Sequence, residues 1–165
     1  MPVTESTLKL YGSQYMPEDD TSINGGAINV NDEIIGVLGE IFNDMYSDEA
    51  GGITVNQYRK VFFRNESDSN LLNARIWISS DPMNQLKIAI ENIKNGNDTS
   101  ANRKTAPSGY TFVDASSESS ALSVPGNALY ASENIGIWLW LSIPPGLSPV
   151  NSVTARIKIK GQTTA

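Results

Sequence analysis

Carboxylates are the only side chains abundant enough to offer chemistry in this 165-residue chain, and they come in three runs: Glu18-Asp19-Asp20, Asp32-Glu33, and Asp44 with Asp48-Glu49. Two acids on opposite sides of a sugar are the machinery of glycoside hydrolysis. Loop acids combined with backbone carbonyls are common calcium ligands. Neither chemistry fits the spacing. Adjacent acids in polar loops face water, and no segment follows the D-x-[DN]-x-[DN]-G-x5-E calcium loop. There is no histidine and no cysteine. That removes the commonest general base and zinc ligand, thiolate nucleophiles, Ser/His/Asp and Cys/His triads, and disulfides. No phosphate-binding glycine loop of the G-x-x-x-x-G-K-[ST] or G-x-G-x-x-G kind is present, and Gly25-Gly26 and Gly51-Gly52 read as turn glycines. The sequence therefore predicts no catalytic residue, no metal ligand, no cofactor and no enzyme activity.

The second group with chemical potential is aromatic. In IGIWLWLSIPPGLSP (135–149), Ile137, Leu139, Leu141 and Ile143 alternate with Trp138 and Trp140. A strand that is half buried is apolar on one side only. Here both sides are apolar, so something must cover the second. Three covers are open: the chain's own segments, a protein partner, or a carbohydrate stacked on the indoles. Pro144-Pro145-Gly146 ends the strand, because proline cannot donate to a ladder.

The surrounding elements are mostly strands. ITVNQYRKVFFRN (53–65) and LLNARIWISS (71–80) are rich in β-branched and aromatic residues. LKIAIENI (86–93) and VTARIKIK (153–160) alternate apolar and polar. YTFV (110–113) reads as a short strand, and LKLY (8–11) as a brief one. KNGND (94–98) holds an Asn-Gly turn. Short strands at this spacing predict an antiparallel sandwich or barrel. Residues 1–31 read as an extended N-terminal arm and 32–165 as the sandwich domain. Within 32–46, Ile34, Ile35, Leu38, Ile41, Phe42 and Met45 fall at helical spacing, while Gly36 and Gly39 each cost a helix about 1 kcal/mol.

Net charge is −6, which argues against a phosphate-backbone binder. The basic clusters Arg59/Lys60/Arg64 and Arg156/Lys158/Lys160 read as solvated strand faces. No run approaches the ~18 apolar residues of a membrane span. MPVTESTLKL lacks the charged and apolar regions of a signal peptide. The expectation is a chain made in the cytoplasm that engages neither nucleic acid nor membrane.

Four ordered signatures carry a resemblance: LKLYGSQYMPEDDTSINGGAI (8–28); QYRKVFFRN (57–65) followed by NARIWISS (73–80); TAPSGYTF (105–112); and IWLWLSIPPGLSP (137–149) ending in ARIKIKG (155–161). In this the chain resembles a family of small structural proteins of tailed-bacteriophage virions. The resemblance implies an immunoglobulin-like β-sandwich with an N-terminal arm and no enzymatic activity. It makes 32–46 a strand running into an acidic loop instead of a helix. It implies a virion location, as a neck or collar (head–tail connection) protein or, alternatively, a capsid-decoration (cement) protein. The partners would be other virion proteins and copies of itself in a symmetric oligomer. A carbohydrate-binding module is the rival from another class. The residues expected at interfaces are Tyr15, Met16, Pro17, Ile23, Trp138, Trp140, Pro144 and Pro145.

Overall fold

The computed structural model describes residues 2–35, 41–48, 50–148 and 154–163. It is all-β, with antiparallel sheets. The strands are β1 (Leu8–Tyr15), β2 (Asn24–Glu33), β3 (Val55–Asn65), β4 (Leu71–Ser80), β5 (Leu86–Ile90), β6 (Thr99–Ser100), β7 (Leu122–Ser123), β8 (Ala128–Leu129), β9 (Asn134–Ile143) and β10 (Arg156–Thr163). One sheet has six strands in the order β5-β9-β3-β1-β2-β6. The other has the order β10-β4-β7, with β8 also on β4.

The two sheets enclose one apolar core. Val61 and Phe63 of β3, Ile135, Ile137 and Leu139 of β9, and Leu86 and Ile88 of β5 meet Ala74, Ile76 and Ile78 of β4. Ile157 and Ile159 of β10 pack against this cluster from its margin. The larger sheet is wider than the smaller one. Part of the difference is made up by chain without secondary structure, since Ile34, Ile41 and Phe42 pack against the same core.

Two sequence expectations change, the separate arm with its boundary and the strand at 110–113. The N-terminal arm is not separate: β1 lies inside the six-stranded sheet, paired with β3 from Leu8↔Asn65 to Gly12↔Val61 and with β2 on its other side. The boundary expected after residue 31 falls within β2. Its alternation was hard to see because the β1–β2 pairing is broken by irregular register. YTFV is not a strand; only Val113 bridges to Ile88. The described parts of 32–46 carry no helix: β2 ends at Glu33 and 41–46 is irregular. Residues 36–40 of that stretch, Glu49 and Val153 lie outside the described residues.

Candidate functional site

The second face of β9 is closed by the chain itself. Trp138 is 0% exposed, which corrects its expected place at an interface. It stands opposite Lys60 on β3 and Ala89 on β5. Above it the backbone of β2 passes at Gly25, whose φ is 96°; a Cβ there would sit 2.5 Å from the indole. Gly25 is thus less a turn residue than the clearance that lets β2 cross a tryptophan. Tyr110 covers the other side, with ring centroids 6.3 Å apart. Trp140 is half-buried, stacked on Tyr58 at 5.8 Å and met edge-on by Phe112 at 5.7 Å. Its indole N–H donates to Asn56 Oδ1 at 2.8 Å. The polar 98–113 segment is the lid, and its aromatics Tyr110 and Phe112 are the residues that close this face.

Under this lid lies a buried ion pair. Lys60 Nζ donates to Glu91 Oε1 at 2.7 Å, and both side chains are 0% exposed. The ammonium also donates to the carbonyls of Gly26 at 2.9 Å and Asp98 at 3.1 Å. Phe62 and Trp138 present their ring faces to it. Burial pushes the Lys60 pKa down, and the bond to Glu91 opposes that shift. Glu91 Oε1 further accepts the Asp98 N–H, while Oε2 is buried without a donor. Gly136 makes the room: a Cβ there would collide with Glu91 Oε2 and lie 2.7 Å from Lys60 Cε. Three acceptors around one nitrogen satisfy an ammonium completely. The pair is a structural anchor tying β3 to the end of β5 and to the lid, not a reactive amine.

The other expected interface residues gather at one end of the sandwich. β3, β2 and β5 begin there, and β1 and β9 end there, as the pairs Val55↔Ile143, Tyr15↔Gly25 and Leu86↔Leu141 require. The β1–β2 loop brings Met16 and Pro17, half-buried, beside exposed Tyr15 and Ile23. The β9 end brings exposed Pro144 and Pro145. Sequence reasoning missed two larger contributors. Tyr46 is 78% exposed and Ile53 is 63% exposed, and both sit on the connection from β2 to β3. Their apolar character was legible, but their exposure was not. Ser47 fixes that connection to the β9 turn: its hydroxyl donates to Pro144 O at 3.1 Å and accepts Leu147 N–H at 3.2 Å. A shallow depression of about 290 Å³, lined by Ile53, Thr54, Val55, Asn56 and Lys104, opens beside them.

These loops are pinned. Arg59, 2% exposed, donates to Pro17 O at 2.6 Å and to Asn43 Oδ1, joining the β1–β2 loop to the β2–β3 connection. Burial, with repulsion from Arg103 against a weaker pull from Glu18, lowers its pKa to about 10. The acidic run is spent inside the loop. Asp19 accepts the N–H and hydroxyl groups of both Thr21 and Ser22. Those bonds hold its carboxyl well below the usual carboxylate range. Asp20 pairs with Arg103 and Lys104, each at 2.6 Å. Among the described residues no cluster of three or more acids is placed to hold a metal ion.

Comparison of the chain with protein-family models, with curated proteins and with solved structures returned no match.

Proposed function

We propose that this chain is a non-enzymatic structural component of a tailed-phage virion, a neck or collar protein that joins head to tail through contacts between subunits. The observation that carries this reading is the loop end. Tyr15, Ile23, Tyr46, Ile53, Pro144 and Pro145 are exposed there together. Their loops are tied at points by hydrogen bonds and ion pairs of Arg59, Asp19, Asp20 and Ser47. Clustered exposed apolar groups mark a docking surface, and pinned loops lose little entropy when they dock. The resemblance supports the same reading. The signatures LKLYGSQY, QYRKVFFRN and IWLWLSI correspond to β1, β3 and β9, which are neighbours in one sheet. The immunoglobulin-like type rests on the resemblance alone.

The test is quantitative mass spectrometry of purified particles. A neck protein is present in about a dozen copies or fewer, set by the symmetry of the tail axis. A capsid-decoration protein, the alternative, is present in hundreds, the order set by a shell of many subunits. Absence from particles refutes both. The carbohydrate reading loses its platform, because Trp138 is sealed and Trp140 lies against Tyr58 and Phe112.

A further inference from the structure

Each sheet offers a stretch of strand with an open outer edge. β2 pairs with β1 at Gly25, Ile28 and Glu33, with irregular register between them, and with β6 only at Asn24 and Gly25. Among the described residues, 27–33 has no strand on its outer side. β10 pairs with β4 alone. An open edge is a row of N–H and C=O groups able to template a further strand.

The two edges carry opposite charge. β10, RIKIKGQT, holds Arg156, Lys158 and Lys160, all exposed. The open part of β2, AINVNDE, holds Asp32 and Glu33, and its last four residues are exposed, with Val30 at 51%. On the smaller sheet Lys160 stands directly opposite Arg75. Like charges placed so cost a sheet stability. Among the described residues Glu118 is the carboxylate that answers this cluster, binding Lys160 at 2.9 Å and lying near Arg75 and Lys158.

We infer that β10 of one copy adds to the open β2 edge of a second copy, joining the smaller sheet of one to the larger sheet of the next. This rests on the reading of the chain as an assembly component and names its self-contact. Charge selects the occupant. β10 against β10 sets three cations against three, and β2 against β2 sets acids against acids. β10 against β2 sets three cations against Asp32 and against Glu33, whose pair with Lys9 at 3.3 Å the incoming strand shares or exchanges. The backbone ladder supplies affinity, and the charges supply orientation and partner choice. The two patches differ, so the contact is heterologous and builds a ring or a filament. The Asn31 N–H, held by Asn29 Oδ1 at 3.1 Å, exchanges that exposed bond for one to the incoming strand.

The experiment uses the full chain. Sedimentation velocity over a concentration series at low and high salt is paired with hydrogen exchange at the two ends of the series. Two charge reversals, K158E/K160E and D32K/E33K, are run alone and mixed, with circular dichroism melts as a folding check. The expected result is concentration-dependent association that weakens with salt and new protection at 27–33 and 156–163. Each reversal alone weakens association by about tenfold or more, and equimolar mixing restores it. If a reversal melts early, K158Q/K160Q takes its place and must still weaken association. A chain that stays monomeric, whose lysines then only guard the edge, overturns the inference. So does association with protection elsewhere, association indifferent to reversal, or no recovery on mixing. Particle mass spectrometry separates the two readings. A chain found in particles but failing these tests sinks the edge contact alone. One that associates through its edges yet is absent from particles sinks the virion reading.

Discussion

Replacing Glu91 by Gln should cost this protein a large part of its stability, although the side chain barely changes size. In the native state the Lys60 ammonium is sealed from water and compensated by one carboxylate oxygen at 2.7 Å and two carbonyls. Gln keeps the volume beside Gly136 and an acceptor for the Asp98 N–H. It removes the charge. Removing one partner of a buried pair typically costs about 3–5 kcal/mol, because the other charge is left uncompensated. At an m-value of about 2 kcal/mol/M, the urea midpoint falls by roughly 1.5–2.5 M. The double variant Lys60→Met/Glu91→Gln carries no stranded charge and should recover most of the loss. The pH dependence has a defined sign. Burial lowers the folded-state pKa of Lys60 below its ordinary 10.5. Between those two values the unfolded chain binds more protons, so stability rises with pH. Loss of the Glu91 charge lowers the folded value further and widens that window towards neutrality. Urea titrations of wild type, both single variants and the double variant, each at several pH values, measure all of this. A loss below about 1 kcal/mol for Glu91→Gln, or a double variant no more stable than the single, refutes the reasoning.

Trp138→Ala should destabilise the isolated monomer by about 3–5 kcal/mol, read by denaturant unfolding; a variant as stable as wild type would mean that a partner, not the chain, covers this face. Gly136→Ala should cost about 1–3 kcal/mol through overpacking against Glu91 and Lys60, seen as a lower melting temperature. The hydrogen bonds from Thr21 and Ser22 depress the Asp19 pKa, so their stabilisation is complete above the unfolded value near 3.9 and is lost as pH falls through the lower folded value. A carboxyl NMR titration should show no step for Asp19 near that ordinary value, and Asp19→Ala should speed amide exchange at Thr21 and Ser22. Tyr46→Ser/Ile53→Ser should leave the melting temperature within about 2–4 °C of wild type, as two exposed changes do, while lowering incorporation into particles; unchanged incorporation would remove the loop end from the docking surface.

Several features were legible because the local pattern and the final environment agree. β5 and β10 show their faces in the alternation of apolar residues, β3 and β4 show themselves as strands by their β-branched and aromatic content, and the prolines that end β9 announce themselves. The lack of histidine and cysteine narrows the possible chemistry through composition alone. Other features were hidden for definite reasons. Lys60 and Glu91 read as surface charges, because a buried charge looks the same in sequence as a solvated one until its partner, 31 residues away, is known. Arg59 was hidden in the same way: its acceptors, Pro17 O and Asn43 Oδ1, lie on two separate loops.

What the sequence determined by itself was the all-β class, the positions of β3, β4, β5, β9 and β10 and the two-sided apolar character of β9, since each follows from local side-chain type and its spacing. What only the tertiary structure decided was what lies across from each face. The cover over Trp138 comes from Gly25 and Tyr110. The extension of β1 beyond Tyr11 and the strand character of β2 come from the strands that lie beside them. The gathering of Tyr46, Ile53 and Pro144 at one end comes from strand direction and register. Each joins residues far apart in the chain, and no local periodicity encodes such a meeting. It is set by which packing buries the apolar faces while leaving buried charges paired.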